Sequence, residues 1–198
     1  MTRCWWCGQD PLYCAYHDHE WGFPVADDTQ LFEKLVLEGF QSGLSWLTIL
    51  RKRENFRRAF AGFDIGRVAR FGEKDVARLL ADAGIVRHRG KIEAAIANAK
   101  RAEALIERHG SLARFVWRFE PQVEARPARV TREVLGTLAT TAESIALSKA
   151  LKKEGFVFVG PTTAYAFMQA MGLVNDHVEG CEAGLRAAAA RKAFTPPG

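Results

Sequence analysis

No apolar run in this 198-residue chain approaches the roughly 20 residues that a membrane-spanning helix needs. The opening residues, MTRCWWCGQDP, lack the apolar core of a secretory signal, so the expected compartment is the cytoplasm, with no membrane partner. Cysteine is scarce, at four residues. In a reducing compartment these thiols stay unpaired, which leaves metal ligation or plain burial as their uses. The chain shows no βαβ alternation, no internal repeat and no low-complexity block. Doubly wound sheets and repeat architectures are thereby excluded.

What is present fits one globular domain over residues 1–198. The apolar fraction is 48%, enough for a single core and too much for a disordered chain. Lys and Arg number 28 against 23 Asp and Glu, giving a net charge of +5. A modest basic excess suits an anionic partner such as nucleic acid without requiring one.

Helical signals dominate. Asp27 or Asp28 can cap LFEKLVLEGF, and Ser45 can cap WLTILRKRENFRRAF, whose Trp46, Ile49, Leu50, Phe56 and Phe60 recur at helical spacing. Asp64 caps IGRVARF, and EKDVARLLADAG runs to a stop at Gly84. RGKIEAAIANAKRAEALIERHG forms a long helix ending at Gly110, with SLARFVWRF beyond it. Residues 119–140, with mixed charge and weak periodicity, read as a long connecting loop. ESIALSKALKKEG, PTTAYAFMQAMG and AGLRAAAARKAF complete the set, while FVFVG is a short strand or a buried loop. The fold class is all-α, with eight or nine short helices.

Four constellations could carry chemistry. Cys4 and His17 stand at one end of the chain, His177 and Cys181 at the other. Two thiolates and two imidazoles make a closed tetrahedral zinc site, which would tie down ends that otherwise fray. Cys7 and His19 qualify equally by spacing, and buried thiols with solvated imidazoles are the plainer alternative. Second, LLADAGIVRHRGKI reads as two helices around a glycine-bounded basic turn, a helix-hairpin-helix spanning about 76–100. Backbone N–H groups at Gly90 and the helix start face a phosphate, and Arg87, Arg89 and Lys91 add charge. An ordinary helix connection with solvated arginines is the alternative.

Third, Trp5, Trp6, Tyr13, Tyr16 and Trp21 crowd an irregular, His-rich N-terminal segment, with Trp46 beyond. They are either core or a stacking pocket for a planar base. Fourth, Glu38 falls on a face that should be buried, where a carboxylate is costly unless hydrogen-bonded. It is either exposed at a frayed helix end or an acceptor for a bound base.

Five stretches, RCWWCGQDPLYCAYHDHEWG, LEGFQSGLSWLTILRKRENF, DAGIVRHRGKI, LSKALKKEGFVFVG and FMQAMGLVNDHVEGC, closely resemble the DNA-3-methyladenine glycosylase I family, within the helix-hairpin-helix glycosylases. The resemblance runs from Arg3 to about Cys181. It implies a helix-hairpin-helix glycosylase fold with one structural zinc ion joining segments of about 1–20 and 175–185. Carried over position by position, the zinc ligands are Cys4, His17, His177 and Cys181. The base pocket is Glu38, Tyr16 and Trp46, lined further by Trp6, Tyr13 and Trp21, and Leu44 plugs the gap left by a flipped nucleotide.

The superfamily's usual Asp after the hairpin is missing, because no Asp occurs between Asp82 and Asp176. A cationic 3-methylated adenine is already a good leaving group, so extrusion and selection carry most of the work. The resemblance therefore implies a monofunctional, monomeric glycosylase acting on methylated double-stranded DNA without an obligate protein partner. Glu38 is the residue expected to read the base and act at the catalytic site. A zinc-stapled DNA-binding module without catalysis, or a metal-dependent hydrolase, are the rivals.

Overall fold

Helix α2 (Asp28–Gln41) is the axle of the computed structural model, which describes residues 2–198. Asp27 caps it by accepting from the Gln30 N–H. Asp28 instead accepts from the Leu112 and Ala113 N–H groups and so starts another helix. Every residue from Leu31 to Phe40 is buried, as suits a helix enclosed on all sides. Around it pack α3 (Trp46–Ala59), α6 (Arg89–His109), α7 (Leu112–Trp117) and α10 (Pro161–Ala170). Phe40, Phe56, Phe60 and Phe63 interlock at centroid distances of 4.8–6.2 Å to fill the space between α2 and α3.

The expected caps form at Ser45 for α3 and Asp64 for α4 (Ile65–Ala69), and Ser111 and Thr141 cap α7 and α9 (Ala142–Lys153) in the same way. The C-terminal helix is α11 (Glu182–Ala193). Among the described residues all regular structure is helical, and no helix is long and apolar enough to cross a membrane.

Three expectations need correction, and one open alternative is decided. The N-terminal segment is not irregular, because Pro11–His19 forms α1. Asp10 caps it and Pro11 opens it, but its buried residues are Tyr16, His17 and Asp18, so no apolar stripe announced it. The hairpin's first helix, α5, is Glu73–Ala81 and stops short of Gly84. Asp82 ends it by accepting the Gly84 N–H at 2.7 Å. Residues 119–140 contain a 3-10 turn, Val123–Ala125, and α8 (Arg132–Thr137), which brings the α-helices among the described residues to eleven. The FVFVG stretch is not a strand. The Asn98 amide bonds both the N–H and the carbonyl of Val157 at 2.9 Å, taking the place of a strand partner.

Candidate functional site

The two ends of the chain meet beside α10. The Gly22 and Val25 N–H groups donate to Ala170 and Met171 carbonyls at the end of that helix. The approach is so close that a Cβ on Gly172, at φ +76°, would lie 2.4 Å from the Phe23–Pro24 peptide. The meeting brings Cys4, His17, His177 and Cys181 together, all buried, with their ligand atoms within 4.8 Å of one another. Cys7 is excluded: its thiol faces the Cys4 carbonyl at 3.2 Å. His19 is exposed, so it too lies outside the group.

The neighbours of this group orient it. Asp18 accepts from His17 Nδ1 at 2.8 Å, which turns Nε2 inward, and Arg3 clamps Asp18 at 2.7–2.9 Å. Arg3, then His17, holds the Asp18 carboxyl down at about 2. His177 donates from Nε2 to the Trp21 carbonyl at 2.9 Å, leaving Nδ1 inward. Gly184 leaves room for His177, since a Cβ there would come within 2.6 Å of the His177 Cβ. Burial pushes the Cys4 thiol up to about 12 and the His177 ring down to about 4. Burial thus favours the neutral forms of Cys4, His17 and His177. A dication would reverse that preference for the thiols.

One aromatic ring away lies a pocket of about 270 Å³. Trp6 contacts His17, Trp21 and Tyr13 at centroid distances of 4.9–5.1 Å, and Tyr16 meets Trp46 at 5.4 Å. The five aromatics of the N-terminal cluster, Trp5 included, and Trp46 line this pocket with Glu38. Glu38 is only 6% exposed, one turn before the end of α2, so it is not at a frayed end. Nor is it a lone carboxylate, because the Lys34 ammonium lies 2.7 Å from its Oε1. Lys34 also donates to the Tyr16 hydroxyl at 2.9 Å and sits 3.2 Å above the Trp46 ring. Burial lowers the Lys34 pKa against the opposing pull of Glu38, and it raises the Tyr16 hydroxyl well above its ordinary value. Trp46 Nε1, in the same wall, is the one buried side-chain nitrogen or oxygen among the described residues with no hydrogen-bond partner.

Sequence reasoning missed Lys34, although a lysine four residues before a glutamate in an apolar run was the available signal. It also missed Gln41 beside Glu38, and Leu135 and Gln169, which bring α8 and α10 to the pocket. Gln169 donates to Asp176, a buried carboxylate that also accepts from Tyr165 and pairs with Arg126. Arg126 and Leu135 both belong to 119–140, so this stretch is a wall of the site and more than a connection.

The hairpin forms a separate exposed edge. Arg87 and Arg89 are exposed, Arg89 pairs with Glu93 at 3.0 Å, and Gly90 is half-buried. The turn is pinned to α3, whose Lys52 and Asn55 donate to the Gly84 carbonyl. Lys91 faces inward. Its ammonium donates to the Phe40 and Ser42 carbonyls at 2.9 and 2.6 Å, bracing the turn that carries Leu44, itself 41% exposed. The structure thus groups the four candidate metal-ligand residues, groups the pocket residues beside them, and sets Leu44 next to the hairpin.

The methyladenine glycosylase family profile matches residues 6–184. The chain is 56% identical over 183 residues to DNA-3-methyladenine glycosylase 1 of Escherichia coli K12, covering 91% of this chain and 96% of that protein. It is 47% identical over 181 residues to the DNA-3-methyladenine glycosylase of Haemophilus influenzae, with coverage of 91% and 96%. The fold matches that of a Staphylococcus aureus 3-methyladenine DNA glycosylase I, solved for its recognition of 3-methyladenine, with a TM-score of 0.84. That match has 36% identity and covers 93% of this chain and 97% of the other.

Proposed function

The chain belongs to the methyladenine glycosylase family, and from that premise we propose that its aromatic pocket receives a flipped 3-methyladenine at Glu38. The enzyme is a DNA-3-methyladenine glycosylase that hydrolyses the N-glycosidic bond, leaving an abasic site. The observation that carries the pocket assignment is a buried carboxylate inside an aromatic-walled cavity of base size. Methylation at N3 makes the nucleotide's purine cationic. Aromatic faces attract such a ring by ~1–2 kcal/mol. Glu38 accepts from the exocyclic amino group in a charge-assisted bond. Trp6, Tyr13, Tyr16 and Trp21 complete the walls and exclude water from the base.

Glu38 acts as the catalytic-site residue by selecting and holding the leaving base. Leu44 fills the gap left in the duplex. Arg87 and Arg89 meet phosphates of double-stranded DNA, with the N–H groups at Gly90 beside them. Lys91 contributes by bracing the Leu44 turn, since carbonyls already hold its ammonium. We read residues 1–198 as one monomeric catalytic domain of the cytoplasm.

The cofactor reading is one structural zinc ion on Cys4, His17, His177 and Cys181. The donor chemistry fits: ordinary Zn–S and Zn–N lengths imply tetrahedral edges of ~3.3–3.8 Å. Three of the Sγ–N separations are 3.4–3.6 Å, and the two nitrogens are 3.2 Å apart. Four protein ligands leave no open position, so the ion would hold the chain ends together and take no part in hydrolysis.

The testing experiment incubates purified protein with DNA methylated to contain 3-methyladenine and separates released bases by chromatography. Free 3-methyladenine should accumulate, and Glu38→Ala should abolish most of it. DNA that is bound and retained without any base release would favour the rival, a zinc-stapled binding module.

A further inference from the structure

Lys34 is a buried ammonium that base recognition as described above does not use. It lies on the features a charged purine would need. Its Nζ is 2.7 Å from Glu38 Oε1, 2.9 Å from the Tyr16 hydroxyl and 3.2 Å from the centre of the Trp46 ring. Non-bonded atoms in contact stay ~3.5–4.0 Å apart. An ammonium on that face of Trp46 and a base stacked on the same face are therefore mutually exclusive. Likewise, the carboxylate that Lys34 holds is the one that would accept from an amino group of the base. One carboxylate and one aromatic face thus serve two cations, one belonging to the chain and one to the lesion.

We propose that the Lys34 ammonium is an internal competitor for the charged base at Glu38 and sets how strongly the pocket prefers a cationic purine. This rests on the base-pocket reading above. The structure also gives the ammonium somewhere to go. A second cavity, of about 410 Å³, shares Tyr16, Lys34 and Trp46 with the first, and Glu20 and Glu33 also line it. Those carboxylates pair with Arg53 and Arg57, so that cavity is polar and suits a charged head on a flexible stem. A displaced ammonium remains beside the entering base, and like charges at such distances oppose one another. The competition therefore weighs more on a cationic ligand than on a neutral one.

Two ligands and two variants test this by calorimetry at neutral pH. The ligands are 3,9-dimethyladeninium, a cation like the lesion, and 3-methyladenine, the neutral product. Lys34→Met should tighten the cation roughly tenfold or more, the size expected for removing one close like charge, and the neutral base by less. Lys34→Gln keeps a donor to Glu38 without the charge and should reproduce that order, which covers the case of a Met variant that does not fold. Weakening of both ligands would make Lys34 a scaffold for Glu38 and overturn the proposal. Equal tightening of both would make it a steric plug and overturn the charge argument. Unchanged affinities would overturn it as well. Wild-type protein that bound neither ligand would take down the base pocket itself, and this inference with it, in an arm that involves no variant.

Discussion

Two buried polar clusters share the Trp6–Trp21 wall, and they are built differently. In the Cys4–His17–His177–Cys181 group, every side chain faces the centre, and outside it Asp18, Arg3 and the Trp21 carbonyl fix each imidazole. In the Lys34–Glu38–Tyr16 group, one donor of the wall is left without a partner and a cavity opens on each side. A closed, over-determined cluster is the mark of a staple. A buried ion pair with a cavity on each side is the arrangement of a site that can take a ligand. The closed cluster supports the open one, because His17 and His177 pack edge-on against Trp6 and Trp21, which line the pocket.

The largest expected effect breaks the staple. Structural zinc contributes ~10–16 kcal/mol in small peptides at neutral pH, and part of that should appear here as folding stability. Chelation under mild denaturant, or Cys4→Ser, should lower Tm by well over 10 °C, given ~2–4 °C per kcal/mol at this size. Activity should fall with the folded fraction. A metal-free protein, verified by atomic absorption, that melted at the original temperature would rule out the stapling role.

Next comes the open cluster. Glu38→Ala removes the base acceptor and also strands a buried ammonium, and breaking a buried pair costs ~3–5 kcal/mol of stability. Glu38→Gln keeps an acceptor but loses the charge, so excision should slow by about one to two powers of ten. Pairing Glu38→Gln with Lys34→Met should restore Tm without restoring excision. Recovery of both in the double variant would show that Glu38 matters only for stability. A smaller effect is expected at the edge of the staple. Asp18→Asn frees the His17 ring to turn and should weaken metal binding ~10–100-fold, read by competition with a chromophoric chelator, while excision by the loaded protein stays near normal.

The same contrast governs how much was legible in the sequence. Caps at Ser45 and Asp64 act over three or four residues, so local pattern reveals them. In the Cys/His cluster, His177 lies 160 positions along the chain from His17 and 173 from Cys4. Spacing alone left Cys7 and His19 as equal candidates, and family resemblance chose among them. Helix α1 was hidden because its inward face is polar, which inverts the signal that periodicity reads. Lys34 was hidden for a related reason. A lysine on an apolar run reads as a solvated intruder, and only the fold shows it turned inward onto Glu38. The role of 119–140 lies in Arg126 and Leu135 meeting residues more than thirty positions away, which no local pattern carries.

The smallest expected effect separates charge that touches DNA from charge that only braces it. Phosphate contacts release counterions, so each one removed should lower the log–log salt slope of binding by ~1. Arg87 and Arg89 are exposed at the hairpin, and Arg87→Ala and Arg89→Ala should each show that drop. Lys91 carries the same formal charge at the same turn, yet its ammonium is bound to the Phe40 and Ser42 carbonyls at the end of α2. Lys91→Met should therefore leave the salt slope unchanged. Its loss should appear instead in the Leu44 turn, as weaker binding to a duplex holding an abasic analogue, where a plug is needed, than to an intact duplex. Fluorescence anisotropy on the two duplexes across a salt series measures both quantities on one protein. A slope reduced by a full unit in Lys91→Met would put that ammonium on a phosphate and remove the brace. An unchanged slope with a deficit confined to the abasic duplex would place Lys91 with Leu44, as a part that shapes the plug without contacting DNA.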